Sequence, residues 1–251
     1  MSGLDGLAFL VGIGLLVGVL IGCIGIGGVL LVPSLTYVGG MEVHVAIATC
    51  MFSYLFSGAV GAVAFARRGS IRWSMSGWLC VGAMPGAYLG AVSATAAPAG
   101  VLELLIAALA VLSGGHALMR GGDETASPHV LQPLALVAIG AVTGYGSAMS
   151  GTGGPLLLVP MLVWLKVPML TAVGLSQVIQ LPIATLASVG NLIHGRIDII
   201  VALGIAGLLM LGVALGARIA HWVPAHVLRR IVAIVLIAVG ATIAVRLLQG
   251  G

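Results

Sequence analysis

Charged side chains are scarce in this chain of 251 residues, where they make up only 6% of the sequence. A soluble domain carries about 25% charged residues, and its surface needs far more polar side chains than are present here. Aromatic residues are also few, at 5%, whereas hydrophobic residues reach 61% and the mean hydropathy is +1.25. The composition therefore excludes a soluble globular protein and indicates an all-α polytopic membrane protein.

Cysteine is equally sparse, with three residues that all lie in apolar stretches, Cys23, Cys50 and Cys80. None forms a Cys-x-x-Cys pair, so neither a zinc site nor a disulfide framework is indicated. The histidines show no metal-ligand spacing, and we expect neither a metal nor a cofactor. The net charge of +4 is spread over short connections without a long basic run, so nucleic acid is not an expected partner.

Long apolar runs occur throughout the chain, and membrane lipid is therefore the expected surroundings. Eight runs can cross about 30 Å of hydrocarbon. They are residues 4–23, 44–65, 73–93, 99–119, 131–149, 171–193, 198–217 and 227–248. Two shorter runs, 27–40 and 154–165, each follow a glycine-rich motif and contain a proline. We expect these two to form short tilted helices or re-entrant segments.

The sequence repeats itself after 126 positions, because nine glycines then fall on glycines. Chance would give roughly three such pairs at this glycine content, so an internal repeat is the economical explanation. The polar segment 121–130 separates the two copies. We therefore predict a first transmembrane repeat over 1–120 and a second over 131–251.

The basic residues favour ten crossings. If all ten segments cross, one side of the membrane receives eight basic residues and the other only Arg196 and Arg246. If the two short runs do not cross, the split is six to four, which fits the positive-inside rule less well. Five crossings per repeat make the two repeats inverted and place both termini outside the cytoplasm. The alternative is eight full spans with two re-entrant segments.

The paired glycine motifs are the first candidate for a substrate site. The first comprises Gly25, Ile26, Gly27 and Gly28, and the second Gly151, Thr152, Gly153 and Gly154. A helix interior with so many glycines would be unstable, so these segments suit unwound backbone with exposed N–H groups. Pro155 is well placed to begin a new helix, whose N-terminus is a ready anion site. The alternative role is close helix packing, but two copies in inverted halves favour a substrate site.

Polar side chains inside the helices that follow the motifs are the second candidate. They are Thr49, Cys50 and Ser53 in the first repeat, and Ser176, Gln177 and Gln180 in the second. Gln177 and Gln180 share a helix face, and two carboxamides inside a span are costly unless paired or wetted. These neutral donors could complete the shell of a bound anion. No acidic residue clearly occupies a midplane position, which argues against a sodium or proton site built from carboxylates.

Two other functions remain as alternatives. A Ser150–His194 dyad could serve an intramembrane serine hydrolase, but the spacing is unspecific and no third orienting group is evident. We therefore expect no enzyme. An anion channel on the same scaffold is the second alternative, although broken helices in inverted halves favour alternating access.

The chain resembles the sulfite exporter TauE/SafE family over about residues 7 to 248. The resemblance lies in the paired Gly-x-Gly-Gly segments, each followed by an apolar run and proline, and in further glycine segments. These are Gly69-Ser70-Ile71, Gly195-Arg196-Ile197-Asp198, Pro85-Gly86-Ala87-Tyr88-Leu89-Gly90 and Gly212-Val213-Ala214-Leu215-Gly216. The resemblance implies transport of a small anion such as sulfite, thiosulfate or an organosulfonate across the bacterial inner membrane. It leaves open the direction of flux, a coupling proton and the oligomeric state.

Overall fold

The computed structural model describes residues 3–25, 27–119 and 131–222, and single residues at 227, 230, 234, 237, 238, 241, 243 and 245. Every regular element in these described ranges is a helix. The nine helices are α1 (Gly3–Ile24), α2 (Gly28–Val38), α3 (Val43–Ala66), α4 (Trp73–Ala96), α5 (Ala99–Met119), α6 (Pro133–Ser150), α7 (Pro155–Trp164), α8 (Met169–His194) and α9 (Ile199–Ile219). The predicted linker 121–130 and most of the predicted last span, 227–248, lie outside the described residues.

Five of these helices, α3, α4, α6, α8 and α9, are long and apolar enough to cross a membrane by length and composition. The two short runs form α2 and α7, which at about 1.5 Å per residue reach roughly half-way across the hydrocarbon. In α2 a 3₁₀ turn over Gly28–Leu30 passes through a short α-turn into a π-turn over Ser34–Val38. The prediction of short helices after the glycine motifs is confirmed.

Local sequence explains where several helices begin and end. Pro155 stands in the first turn of α7, where its missing N–H removes no helical hydrogen bond. Gly151 ends α6 in the left-handed conformation, with φ of 69°, which a glycine adopts without strain. Asp198 caps α9, because its side chain accepts a hydrogen bond of 3.1 Å from the backbone N–H of Val201.

Helices α3 and α8 form the centre of the fold. In each, 67% of the most apolar window is buried, against 39–44% in α4, α6 and α9. They run antiparallel, since Gly58 packs on the side chain of Gln180 and Gly61, further along α3, packs on the earlier residue Gln177. Everything attached to the middle of these two helices therefore lies deep inside the molecule.

Glycine faces hold the outer helices closely in two parallel pairs. A Cβ at Gly82 or Gly90 of α4 would clash with the carbonyl oxygen of Val137 or Tyr145 in α6. The numbering rises along both helices, so α4 and α6 are parallel. Such close approach of two backbones is the role that small residues play between membrane helices.

Helices α1 and α9 form the second parallel pair. Its contacts correspond to those between α6 and α4 when each residue is replaced by the one 126 positions away. A Cβ at Gly212 would lie 2.6 Å from the carbonyl oxygen of Leu15, and one at Gly86 would meet that of Ala141. Gly212 lies 126 positions after Gly86, and Ala141 lies 126 positions after Leu15. Equivalent contacts thus join the first helix of each half to the fourth helix of the other.

The contacts also fix the direction in which the chain runs. Hydrogen bonds join Thr49 to Asp198, Ser53 to Ala202 and Arg68 to Ala217, each pair separated by 149 positions, so α3 and α9 are parallel. Since α1 is also parallel to α9, the chain must reverse between α1 and α3. A Cβ at Gly190 would lie 3.0 Å from Ala91, and one at Gly195 would lie 3.4 Å from Thr95, further along α4, so α8 is parallel to α4. The same reasoning then places a reversal between α6 and α8, and α2 and α7 are the returning segments.

Candidate functional site

The two glycine motifs meet in the interior of the molecule. A Cβ at Gly28 would clash with the carbonyl oxygen of Thr152, and one at Gly25 would lie 3.1 Å from the Cβ of Pro155. The starts of α2 and α7 therefore touch, although 126 positions separate the two motifs. Ile26, the remaining residue of the first motif, lies outside the described residues.

Four of the motif glycines have backbone conformations that favour glycine. The φ angles are 75° at Gly25, 69° at Gly151, 81° at Gly153 and 105° at Gly154. An L side chain at such angles is strained, because its Cβ approaches the following carbonyl. Gly154 directly precedes α7 and is its N-cap.

At the other two motif glycines, a side chain would have no room. Gly27 has a negative φ, but a Cβ there would lie 2.6 Å from the carbonyl oxygen of Val17 in α1. Gly28 packs against Thr152, as described above. The motif thus combines turns that only glycine tolerates with backbone contacts that only glycine permits.

Tyr54 of α3 joins the two motifs. Its hydroxyl donates a hydrogen bond of 2.9 Å to the carbonyl oxygen of Gly28, and a Cβ at Gly153 would lie 2.8 Å from its ring. Tyr54 is fully buried and stands near the middle of α3. Tyr54 was not among the predicted site residues, and its position 126 residues before Gln180 is the sequence signal that could have identified it.

Two carboxamides of α8 lie beside the motifs. The Nε2 of Gln177 donates to the carbonyl oxygen of Ile21 at 3.0 Å, which also accepts the N–H of Gly25. The Nε2 of Gln180 donates to the carbonyl oxygen of Tyr54 at 3.1 Å and to Ser57 Oγ at 3.0 Å. Both side chains are buried, and both Oε1 atoms have no hydrogen-bond partner in the described part of the chain.

Small residues on α3 make room for these carboxamides. A Cβ at Gly61 would overlap Gln177 Oε1, and one at Gly58 would lie 3.2 Å from the side chain of Gln180. Gly58 and Gly61 share a helix face by their spacing of three residues, as do the two glutamines. This matched spacing is a sequence feature from which the packing of α3 against α8 could have been predicted.

Hydroxyl groups complete the surroundings of the motifs. Ser176 Oγ donates to the carbonyl oxygen of Val173 at 2.7 Å and would lie 3.1 Å from a Cβ at Gly25. Thr152 Oγ1 and Ser150 Oγ are 2.9 Å apart and hydrogen-bonded. Ser176 and Gln177, which belong to the second repeat, thus lie near the first motif.

Two predicted site residues face another helix. Thr49 Oγ1 accepts a hydrogen bond of 3.2 Å from the backbone N–H of Asp198, and Ser53 Oγ donates to the carbonyl oxygen of Ala202 at 2.8 Å. Both hydroxyls thus hold the start of α9 against α3. Cys50 is fully buried on the same helix, one turn before Tyr54.

The Ser150–His194 pair is not assembled. Ser150 is buried, and its hydroxyl donates to the carbonyl oxygen of Gly146 at 2.7 Å besides pairing with Thr152. His194 is exposed at the end of α8. A nucleophile needs its base within hydrogen-bond reach, which this arrangement does not provide.

The interior around the motifs carries no formal charge. Among the described residues, every buried polar side chain is a serine, threonine, glutamine or asparagine. In the second motif, the backbone N–H groups of Gly153 and Gly154 have no hydrogen-bond partner within the same described ranges. These N–H groups stand at the start of α7, where the helix dipole places partial positive charge.

Comparison with known proteins agrees with this description. The model of the sulfite exporter TauE/SafE family matches residues 10–243. A probable membrane transporter protein of Xylella fastidiosa (strain 9a5c) is 29% identical over 91% of this chain and 91% of its own length. The probable membrane transporter protein YdhB of Bacillus subtilis is 26% identical over 85% of this chain and 90% of its own. No solved structure matches the chain.

The family match covers the described helices from residue 10 of α1 onwards, including both glycine motifs and the helices that hold them. The apolar helices make the protein a multi-pass membrane protein. The chain belongs to the sulfite exporter TauE/SafE family of membrane transporters.

Proposed function

We propose that this protein carries a small anion, a sulfur-containing oxyanion such as sulfite, thiosulfate or an organosulfonate, across the bacterial inner membrane. The observation that carries this proposal is the meeting of the two glycine motifs, where Gly28 packs on Thr152 and Tyr54 bridges them. Broken helices that meet near the membrane midplane are the usual substrate site of secondary transporters.

The anion would be held by backbone N–H groups. Helices α2 and α7 both begin in the contact region between the motifs, so their positive dipole ends face the same place. The backbone N–H groups of Gly153 and Gly154, which have no hydrogen-bond partner among the described residues, are candidate donors to it. Ser176, Gln177 and Gln180 border the site, and Thr49, Cys50 and Ser53 support it from α3.

The proposed motion is a rocking of two inverted repeats about α3 and α8. The exchanged contacts of Gly86 with Ala141 and of Gly212 with Leu15 support the inverted relationship, because a two-fold axis would generate them as a pair. The reversals between α1 and α3 and between α6 and α8 support ten crossings, and the distribution of basic residues supports termini outside the cytoplasm. The motifs pack directly on one another here, so a substrate would enter after they separate.

Flux into proteoliposomes that hold the purified protein tests the proposal. Sulfite, thiosulfate, small sulfonates and small carboxylates are each offered with and without a pH gradient. We expect saturable uptake of a sulfur oxyanion, and the response to the gradient identifies a coupling proton. Flux that rises linearly with concentration would instead indicate a channel.

The double variant Gly27→Val, Gly153→Val tests the site itself. It should abolish uptake while the protein still inserts into the membrane, because a side chain at position 27 would clash with the carbonyl oxygen of Val17 in α1 and one at position 153 with the ring of Tyr54. The matched control is Gly12→Val, Gly207→Val, since both glycines lie in helices and a Cβ at either meets nothing within 4 Å. Normal uptake by the first variant would refute the site assignment.

A further inference from the structure

Buried polar side chains follow one face of α8 from its middle to its last turn. The members of this α8 stripe are spaced by three or four residues and therefore lie along one line of the helix: Gln177, Gln180, Ala184, Ser188 and Asn191. All five are at most 5% exposed. Each of the four polar members has an oxygen or nitrogen atom without a hydrogen-bond partner in the described part of the chain.

We propose that the α8 stripe lines the route between the interior of the protein and the membrane face at which α8 ends. Ser188 and Asn191 form a hydrogen-bonding subsite for the hydrated anion on this route. The inference rests on the proposed function and adds the path of its substrate and a second point of contact, away from the glycine motifs.

The stripe faces α3. A Cβ at Gly61 would overlap Gln177 Oε1, and one at Gly58 would lie 3.2 Å from the side chain of Gln180. Because Ser188 and Asn191 continue the same side of α8, and α3 runs antiparallel to it, these two residues lie towards the first half of α3. Helices α3 and α8 belong to different repeats, so a rocking of the repeats would open the seam between them.

The unpartnered atoms have no explanation while this seam is closed. A buried polar group without a partner costs about 1–3 kcal/mol. Hydroxyl groups on helices usually avoid this cost locally, as Ser53, Ser150 and Thr185 do by donating to the carbonyl oxygen four residues earlier. Ser188 makes no such bond, and Asn191 Nδ2 is a donor without an acceptor among the described residues. A hydrated anion supplies acceptors to both when the seam opens.

The polar stripe extends from Gln177 in one direction only. One turn before Gln177, the same face carries Val173, which is fully buried. Beside it, the fully buried ring of Phe65 in α3 would lie 3.5 Å from a Cβ at Gly174. Apolar packing thus closes this end of the seam, and the polar stripe leads to the opposite end, where His194 is exposed.

Single cysteines test whether the stripe meets water. In a background without the native cysteines, Ser188→Cys and Asn191→Cys are compared with Val189→Cys and Leu192→Cys, which lie on the other side of the same turns. A small, membrane-impermeant methanethiosulfonate is added to the face from which Arg196→Cys is labelled. The structure leaves Val189 42% and Leu192 56% exposed but buries Ser188 and Asn191, so exposure alone predicts the reverse of what the route predicts.

Reaction at positions 188 and 191 should be at least about tenfold faster than at 189 and 192, because only the ionised thiolate reacts and a thiol against lipid stays protonated. After this treatment, reconstituted Ser188→Cys should have lost uptake of the small sulfonates and carboxylates, since the adduct fills the route. Leu192→Cys, treated in the same way, should keep its uptake.

Size-exclusion profiles in detergent identify any variant that does not fold. Ala184→Cys then replaces it with the same expectation, because Ala184 is fully buried on the same stripe.

Reaction at positions 188 and 191 that is no faster than at 189 and 192 would overturn this inference but leave an anion transporter in place. So would full uptake by labelled Ser188→Cys. The absence of flux for every anion in the natural protein would instead overturn the proposed function, whatever the labelling pattern.

Discussion

The side-chain amide of Gln180 donates a hydrogen bond of 3.1 Å to the backbone carbonyl oxygen of Tyr54, and the two residues are 126 positions apart. This separation is the shift at which the two halves of the sequence match. Equivalent residues of inverted repeats touch only where they lie beside the axis that relates them. The contact thus places the centre of the proposed transport machinery between α3 and α8, where Tyr54 also reaches both glycine motifs.

Tyr54→Phe should reduce uptake strongly while the helices stay folded. The ring against Gly153 remains, but the buried carbonyl oxygen of Gly28 loses its donor, at a cost of about 1–3 kcal/mol in stability. Initial uptake rates and the midpoint of thermal unfolding, measured on the same preparation, give the two effects. Unchanged uptake would show that the link between Tyr54 and the first motif is dispensable.

Gly153→Ala should abolish uptake, whereas Gly40→Ala should not. Both glycines have positive φ, of 81° and 69°, so each alanine is strained by roughly 1–2 kcal/mol. Only at Gly153 does the new methyl group also meet a neighbour, the ring of Tyr54, since Gly40 has nothing within 4 Å. Equal loss of uptake in both variants would attribute the effect to backbone strain instead of the motif contact.

Single cysteines at Arg67 and Arg196 should report opposite sides of the membrane. Both residues are exposed, and they lie in matching loops of the two halves. In a background without Cys23, Cys50 and Cys80, an impermeant thiol reagent added to intact cells should label Arg196→Cys and leave Arg67→Cys unlabelled. Labelling of Arg67→Cys from outside would contradict the proposed orientation.

Gly86→Leu and Gly212→Leu should lower the yield of folded protein to a similar degree. Each leucine would push against a backbone carbonyl, of Ala141 in α6 or of Leu15 in α1, and overpacking of this kind costs about 1–3 kcal/mol or more. The control is Gly77→Leu, because a Cβ at Gly77 meets nothing within 4 Å. Size-exclusion profiles in detergent measure the yield, and an effect in only one half would argue against equivalent interfaces.

Several features of the fold were predictable because they depend on local chemistry. The apolar runs, the glycine motifs and Pro155 predicted the helices and the breaks between them, since helix formation depends on hydrophobic length and on residues that cannot continue a helix. The family resemblance followed from the same motifs, and the match over residues 10–243 confirms it.

The roles of individual polar residues were less predictable. Thr49 and Ser53 were predicted to help complete the shell of a bound anion, but their hydroxyls bind the start of α9. Tyr54 was not among the predicted site residues, although it contacts both motifs. A helix can be rotated about its axis without any change in its hydrophobic pattern when nearly every residue is apolar, so the sequence does not say which neighbour a polar side chain meets.

By itself, the sequence determined that this is a helical membrane protein with two glycine motifs 126 positions apart. Those properties reside in composition and periodicity, which act over a few residues at a time. Only the tertiary structure decided that the two motifs touch, that Tyr54 bridges them and that two carboxamides lie beside them. Such contacts join residues more than a hundred positions apart, and they depend on how whole helices pack.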